Sequence, residues 1–518
     1  MSVDNQQAKP QKQTKEPDKK GTPGASEAKA APQSKRDAGK RKRGKKKMIA
    51  LIVVVFQILG LLSSIHAVMT ARTAQGAIAW GVSLNTFPYV AVPAYWVLGR
   101  RNFQGYIEAF HVRQAEVEQF RTTMQERIAP YAVETLERIP NYEAMKRLSH
   151  TPFLNGNDVT LLVDGDATFD SIIGGLAKAE NYALVQFYII HDDGLGRRLK
   201  AALIDCANRG VKVFVLFDEV GSAGLPKAYL TELEAAGIQQ SEFNTTQGAH
   251  NRFQLNFRNH RKNVVVDGKV TWIGGHNVGD EYLGLDPKVG HWRDTHVRIE
   301  GPAAQVAQAM FLADWYWATR TIPDLSWEPV PAASGTDVKT MVLAISPTDI
   351  IETAQLFFVH ALNAARDRIW IATPYFVPDE AVMAALRLAA LRGVDVRIIV
   401  PEKGDNPLVD LATRWFANEL SDVGITFLRY TDGFPHQKVL LVDNDISSVG
   451  SPNFDNRSFR LQFEINAIMV DEDFGRQLEA MLENDMAHAI PWDPTDLDDA
   501  PFTRRLAVSV ARLTAPVL

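Results

Sequence analysis

Cysteine is almost missing from this chain: 518 residues hold one, Cys206. A disulfide framework is excluded, as is a zinc site built on cysteines, and Cys206 reads as a small core residue in a chain compatible with a reducing compartment. A basic surplus is also missing over most of the length. Residues 1–101 carry 18 Lys/Arg against 5 Asp/Glu, which leaves 38 basic and 56 acidic groups beyond them, a net of −18. So acidic a body lacks the footprint of a protein that grips a phosphate backbone, and no nucleic-acid partner is predicted. Charge of either sign is absent from residues 48–71 and again from 73–99.

What is present argues for more than one folded unit at a bilayer. With 46% apolar residues over this length, the chain can fill two large cores. From Met1 to about Ala38 it is mostly Gln, Lys, Pro, Ala and Ser, too polar to offset the entropy of ordering, and disorder is predicted. The basic run from Lys40 to Lys47 abuts the first uncharged stretch, where it reads as a contact with anionic headgroups. At ~1.5 Å per residue, residues 48–71 outreach a ~30 Å hydrocarbon core, which predicts a transmembrane helix rather than a signal peptide. The second stretch offers Trp80, Tyr89, Tyr95 and Trp96 as interfacial anchors and Pro88 and Pro93 as kinks. Positive charge outside both ends, with Arg72 alone between them, predicts a two-helix hairpin with both ends cytoplasmic. After it, Phe103, Ile107, Phe110, Val117, Phe120, Met124, Ile128 and Tyr131 recur every three or four residues apart from a break at Gln114. Such a helical face docks on the body or lies on the bilayer, and docking is preferred.

The remainder is an internal repeat. Ala177 to Tyr188 leading to Arg209–Asp218 corresponds to Ala364 to Tyr375 leading to Arg392–Pro401, each reading helix, strand, helix, strand. Short β-branched runs alternating with helical stretches predict two α/β halves with buried sheets. The predicted divisions are a disordered basic tail 1–47, two transmembrane helices 48–99, an amphipathic linker 100–155, halves at 156–332 and 333–492, and an amphipathic tail 493–518.

Each half holds one constellation at one spacing. His260, Lys262, Asp267 and Gly274-Gly275-His276-Asn277 in the first match His436, Lys438, Asp443 and Gly450-Ser451-Pro452-Asn453 in the second. Residues two apart on a strand share a face, so each His and Lys converge. Asp267-Gly268 and Asp443-Asn444 have the chemistry of two-residue hairpins, so a turn role is favoured for these aspartates, with a direct catalytic role as the alternative. Gly275 and Ser451 lie where backbone can approach a ligand, and Asn277 and Asn453 can donate to a phosphate oxygen. Meeting at one interface, two such sets make a site for a phosphodiester. Lysines and Asn amides stabilise its nonbridging oxygens while one imidazole attacks phosphorus and the other protonates the leaving alkoxide. Lysines stand where a two-metal site would need carboxylates, so no metal or other cofactor is implied.

The doubled motif resembles the signature of the phospholipase D superfamily. The surrounding Asn259-His-Arg-Lys262, Gly279–Gly284, Trp292–Arg298, Asn456-Arg-Ser-Phe459 and Phe463-Glu464 resemble bacterial cardiolipin synthases, from about residue 150 onward. The resemblance implies two phospholipase D-like α/β domains related by pseudo-two-fold symmetry behind the membrane hairpin. It implies His260 as nucleophile and His436 as general acid and base, with phosphatidylglycerol as both donor and acceptor. The cell membrane is the implied location, multi-pass, with the catalytic domains facing the cytoplasm. A hydrolase or other transphosphatidylase is the alternative among enzymes; outside them stands a non-catalytic lipid sensor or scaffold.

Glu464 lies 28 residues after His436, in a strand-like run that aligns with Asp294–Arg298. A carboxylate on a neighbouring strand can hold a histidine by its second nitrogen, which makes Asp294 and Glu464 candidate orienting groups. His191, His276, His291 and His296 have no repeat partners and read as structural or substrate-adjacent. Near the C-terminus Phe502, Leu506, Val510 and Leu513 line one helical face beside Arg504, Arg505 and Arg512, which suits either a capping helix or membrane contact.

Overall fold

A computed structural model describes residues 33–71, 73–99, 103–111, 114–246 and 256–518. Most of the predicted disordered tail, together with Arg72, Arg100 and Arg101, lies outside the described residues. Helix α1, Gln33–Thr70, begins well before the uncharged stretch, so the run Lys40–Lys47 is helical rather than part of a disordered tail. Its 28-residue portion Arg43–Thr70 is long and apolar enough to cross a membrane. Leu61, Val68 and Met69 are among the many apolar side chains it exposes, where the core helix of a soluble protein would bury them.

The second uncharged stretch departs from the expected single span. It forms α2, Ala74–Thr86, and α3, Pro88–Leu98, separated at Phe87, whose φ of −129° and ψ of 55° leave the helical region ahead of Pro88. Pro93 sits inside α3 without ending it. Both helices fold back on α1: Asn85 donates to Ser64 Oγ at 2.8 Å and Tyr95 Oη meets His66 Nδ1 at 2.6 Å. A Cβ on Gly60 would stand 2.3 Å from the Leu84 carbonyl oxygen, so only glycine admits this approach. Among the described residues α1 is the one helix of spanning length.

The linker docks. It continues as α4, Gln104–His111, α5, Gln114–Ile128, and α6, Tyr142–Ser149. Phe103 is fully buried, 5.5 Å between ring centroids from Phe257, 5.0 Å from Trp317 and 6.1 Å from Phe463. These rings come from both repeats, so the segment that follows α3 is clamped where the halves meet.

Each half contains a mixed sheet. The first is built from β1 (Asp158–Val163), β2 (Tyr182–Phe187), β3 (Lys212–Asp218), β4 (Gln239–Phe243), β5 (Asn263–Val266), β6 (Val270–Gly274) and β7 (Thr295–Glu300), ordered β1-β7-β6-β5-β2-β3-β4. The second comprises β8 (Lys339–Ile345), β9 (Arg368–Ala372), β10 (Asp395–Pro401), β11 (Thr426–Tyr430), β12 (Val439–Val442), β13 (Ile446–Gly450), β14 (Gln462–Val470) and β15 (Ala489–Pro491), ordered β8-β14-β13-β12-β9-β10-β11-β15. Apart from the edge strand β15, the two orders coincide strand for strand. β2 is buried along its whole length, which is why Tyr-Ala-Leu-Val-Gln-Phe runs apolar without alternation. The sheets share one core, in which Ile273 and Val297 pack with Val449 and Ile465. The C-terminal helix Phe502–Arg512 lies on helix Pro407–Ser421, burying Val508 and Ala511 and setting Arg512 3.7 Å from the Trp415 ring centre.

Replacing Phe103 by Ala empties a fully buried aromatic site, and should cost about 3–5 kcal/mol. The linker should then become protease-sensitive at lower temperature than the two sheets. Digestion of both regions at one temperature would show that Phe103 does not hold the linker down.

Candidate active site

The motif histidines sit at the starts of hairpins, on segments that join the opposite half. Arg258–Asn259 pairs in parallel with Gln462–Phe463 of β14, and the His260 amide donates to the Phe463 carbonyl at 2.9 Å. In the counterpart, Phe434–Pro435 pairs in parallel with Trp292–Arg293, and the His436 amide donates to the Arg293 carbonyl at 2.7 Å. Each histidine is thereby registered next to the residue that follows: Glu464 in one case, Asp294 in the other. Both Glu464 oxygens lie 3.0 Å from His260 Nδ1, and Asp294 Oδ2 lies 2.7 Å from His436 Nδ1. The pairs cross between halves. Because an ionised carboxylate only accepts, each Nδ1 carries the hydrogen, and Nε2 is the nitrogen each ring has to offer.

Burial sets the charge state. Both carboxylates are fully buried and the two rings nearly so. Desolvation pushes His260 down to about 4, against the Glu464 charge that favours the imidazolium and with Lys262 adding to the fall. His436 is driven well below its ordinary value by burial first, then by Lys438, Lys262 and His260. Lys438 falls to about 8 and Lys262 well below its usual range, burial leading in both. Groups from both halves therefore act on one another in a single field. The Lys262 ammonium donates to the His260 carbonyl at 2.7 Å and Lys438 to the His436 carbonyl at 2.5 Å. The Tyr188 ring stands 5.1 Å from that of His260, and Trp292 5.0 Å from that of His436.

The other motif residues divide. Asn277 spans the frame, accepting from the Ile189 amide at 3.2 Å and donating to Tyr282 Oη at 3.0 Å, while Asn453 Oδ1 is buried without a partner. Gly275 and Ser451, placed on the substrate side by the sequence reading, stand against the carboxylates. A Cβ at Gly275 would come 2.0 Å from Asp294 Oδ1, and the Ser451 hydroxyl donates to Glu464 Oε2. Asp267 and Asp443 are at the far ends of β5 and β12 from the histidines, each with φ of 53°. Asp267 accepts from the amides of Glu180, Asn181 and Tyr182 at 2.8–2.9 Å, and Asp443 accepts from Arg366, Asp367 and Arg368. They tie the hairpin turn to the head of the neighbouring strand, the role favoured over direct catalysis by their turn chemistry.

Several positioning groups escaped the sequence reading. Asp314 takes Gln186 at 2.7 Å, Asn259 at 2.8 Å and Arg261 at 2.7 Å, and Tyr106 of α4 reaches it at 3.3 Å. Asp485 holds Gln437 at 2.8 Å and Arg293 at 2.6 Å. Asp218 takes the Asn259 amide at 2.9 Å. The signal for Asp314 was visible, since it is the one charge in the helix Ala303–Thr319; Asp485 lies on a helix full of charges and had none. His276 and His296 form a buried Nδ1–Nδ1 pair at 3.0 Å, both pushed down to about 3 by burial. His191, Asp193 and Glu281 approach closely enough for a metal, but Asp193 already accepts the amides of Gly196 and Asp280.

The family model described as cardiolipin synthase, phospholipase D-like domain, matches residues 172–315 and 358–486. Cardiolipin synthase A of Pseudomonas aeruginosa (strain UCBPP-PA14) is 47% identical over 475 residues, covering 91% of this chain and 96% of that protein. Cardiolipin synthase A of Pseudomonas putida (strain GB-1) is 48% identical over 469 residues, covering 90% and 97%. Among solved structures, phosphatidylserine synthase of Haemophilus influenzae Rd KW20 shares the fold, with a TM-score of 0.55 at 16% identity over 73% of this chain and 99% of that one.

Two outcomes follow. Asp443→Ala should lower stability by about 2–4 kcal/mol, since three amides and an arginine lose their acceptor. Below its melting temperature this variant should keep turnover; a turnover loss at full stability would give Asp443 the direct catalytic role instead. For His260, the folded value near 4 lies below the unfolded ~6.5, so the unfolded chain binds the extra proton between these limits and stability falls as pH drops through that window. Unfolding free energies of wild type and His260→Gln from denaturant titrations should therefore diverge between pH 6.5 and 4 by up to roughly 3 kcal/mol, the wild type losing more. Parallel curves would show that His260 titrates normally.

Proposed function

Because this chain belongs to the cardiolipin synthases, enzymes of the phospholipase D superfamily that act on phospholipids, we propose that it joins two phosphatidylglycerols through a phosphohistidine, releasing glycerol. The observation that carries this reading is the crossed pair of carboxylate-held imidazoles, one per half, which leaves two Nε2 atoms to serve one phosphorus. The halves are taken to be related by a pseudo-two-fold axis running between His260 and His436, a relation supported by the matching strand orders and the reciprocal short-strand pairing.

In the first step His260 Nε2 attacks phosphorus, the bond from phosphorus to the glycerol oxygen breaks, and His436 Nε2–H protonates that oxygen. In the second, His436 takes the proton of a second phosphatidylglycerol hydroxyl, whose oxygen attacks phosphorus as the P–N bond breaks. Lys262 and Lys438 face the nonbridging oxygens, with Asn277 and Asn453 beside them. Charge balance favours the required proton: two carboxylates offset two lysines, and the phosphodiester anion adds one negative charge that a single imidazolium neutralises. Asp294 and Glu464 position the rings. Helix α1 holds the enzyme in the membrane, α2 and α3 return through or along the same leaflet as the second arm of a hairpin, and the body faces the cytoplasm.

Purified full-length protein in phosphatidylglycerol vesicles should produce cardiolipin and glycerol by mass spectrometry, and His260→Ala should produce neither. Phosphatidic acid as the sole product would replace this reading with hydrolysis. Glu464→Gln and Asp294→Asn should each lower kcat by about 10²–10⁴-fold with little change in KM, because they misorient a ring rather than remove a lipid contact. Unchanged kcat in both variants would remove the positioning role.

A further inference from the structure

The C-terminal helix presents two opposite apolar faces. Val508 and Ala511 are buried against the body, yet Phe502, Leu506, Val510 and Leu513 are 69%, 50%, 51% and 76% exposed. At ~3.6 residues per turn those four lie on the side of the helix away from the buried pair, where a helix facing water places its charges. Its arginines sit elsewhere. Arg504 pairs with Asp496 at 2.7 Å and Arg512 packs over the Trp415 ring on the docked side, while Arg505 borders the exposed stripe. A stripe edged with arginine suits an interface with an anionic lipid surface. Asp498 and Asp499 precede the helix, so the end with the better charge match is the one from Leu506 to Leu513.

The place of this stripe follows from a chain of contacts. Where the chain leaves α3, Phe103 stacks on Phe257; the adjacent Asn256 accepts from the Arg457 guanidinium at 3.0 Å; and the Arg457 amide donates to the carbonyl of Leu518, also at 3.0 Å. Arg457 of the short helix Asn456–Arg460 thus bonds both the last carbonyl of the chain and Asn256, the neighbour of the ring on which Phe103 stacks, so the chain end and the Phe103 clamp flank one side of the body. That helix also supplies Ser458, which accepts the Asn453 amide, so the same side borders the candidate active site. Ile350, 93% exposed, lies close by, since Glu352 pairs with Arg460 at 2.9 Å.

We propose that the face formed by Phe502, Leu506, Val510 and Leu513 is seated in the interfacial region of the bilayer that holds α1, as a second membrane contact that keeps the cleft against the lipid surface. The proposal rests on the reading of α1 as bilayer-embedded. One attachment would leave the body free to swivel about the linker; two on the same side fix which face meets the lipid from which both substrates come.

The test uses full-length protein reconstituted in phosphatidylglycerol vesicles with an environment-sensitive fluorophore at Leu513→Cys, and separately at Val54→Cys in α1. The native Cys206 is fully buried and stays unlabelled. Lipids brominated near the headgroup should quench the Leu513 reporter, and lipids brominated along the acyl chains the Val54 reporter. Quenching at Val54 alone would overturn the proposal and leave the anchor standing. Quenching at neither would fail the anchor reading first, and this proposal with it. A Leu513 signal that depends on protein concentration in lipid-free detergent, and not on brominated lipid, would assign the face to a second copy of the chain. As an independent measure, Leu506→Ser with Leu513→Ser should raise the apparent KM for vesicle-borne substrate by roughly tenfold at unchanged kcat and melting temperature; an unchanged KM would also overturn the proposal.

Discussion

Two imidazole–carboxylate hydrogen bonds, each reaching from one half of the molecule to the other, are the constraint on which the rest of this structure depends. His260 is held by Glu464 and His436 by Asp294, with both carboxylates fully buried. Carboxylates taken out of water cost several kcal/mol each unless matched, and here the match comes from Lys262 and Lys438 and from hydrogen bonds that use the remaining oxygens. Neither half can meet this requirement alone, because each holds the carboxylate for its partner's ring. The site is a property of the pair.

Backbone pairing makes these bonds possible. A two-residue strand ahead of each histidine adds to the opposite half and stops one residue short of the carboxylate, so register determines which residue faces the ring. Behind it stand further buried carboxylates, Asp218 and Asp314 for the His260 segment and Asp485 for His436. Removing any of them would leave buried amide or guanidinium donors without partners. The glycine and serine of the two motifs belong to the same layer: Gly275 makes room for Asp294, and Ser451 adds a hydroxyl to Glu464. The halves solve one packing problem with different atoms.

The membrane side is continuous with this frame. Tyr106, a few residues beyond α3, reaches Asp314, which in turn grips the residues on both sides of His260. From Phe103 onward the linker is therefore joined to the site through packed and hydrogen-bonded groups.

Much of this was legible in the residues, and the reasons are local. The repeat and the two buried α/β sheets follow from matching runs and short β-branched stretches, which need no knowledge of the fold, whereas each His-x-Lys lies in the short non-strand step between two strands. The docked face around Phe103 and the apolar stripe from Phe502 to Leu513 follow likewise from helical spacing. Local signals were weaker where alternatives had the same pattern. An uncharged stretch long enough to span became α2 and α3, because the Phe87-Pro88 step breaks a helix that hydropathy alone would continue. For Asp267 and Asp443 turn chemistry pointed to a hairpin role, but not to the backbone amides of the neighbouring strand that each one accepts. What only tertiary structure decided is which carboxylate serves which ring. The partners are 204 and 142 residues apart and belong to opposite halves, so their meeting depends on how two sheets dock, a relation that no spacing along the chain encodes.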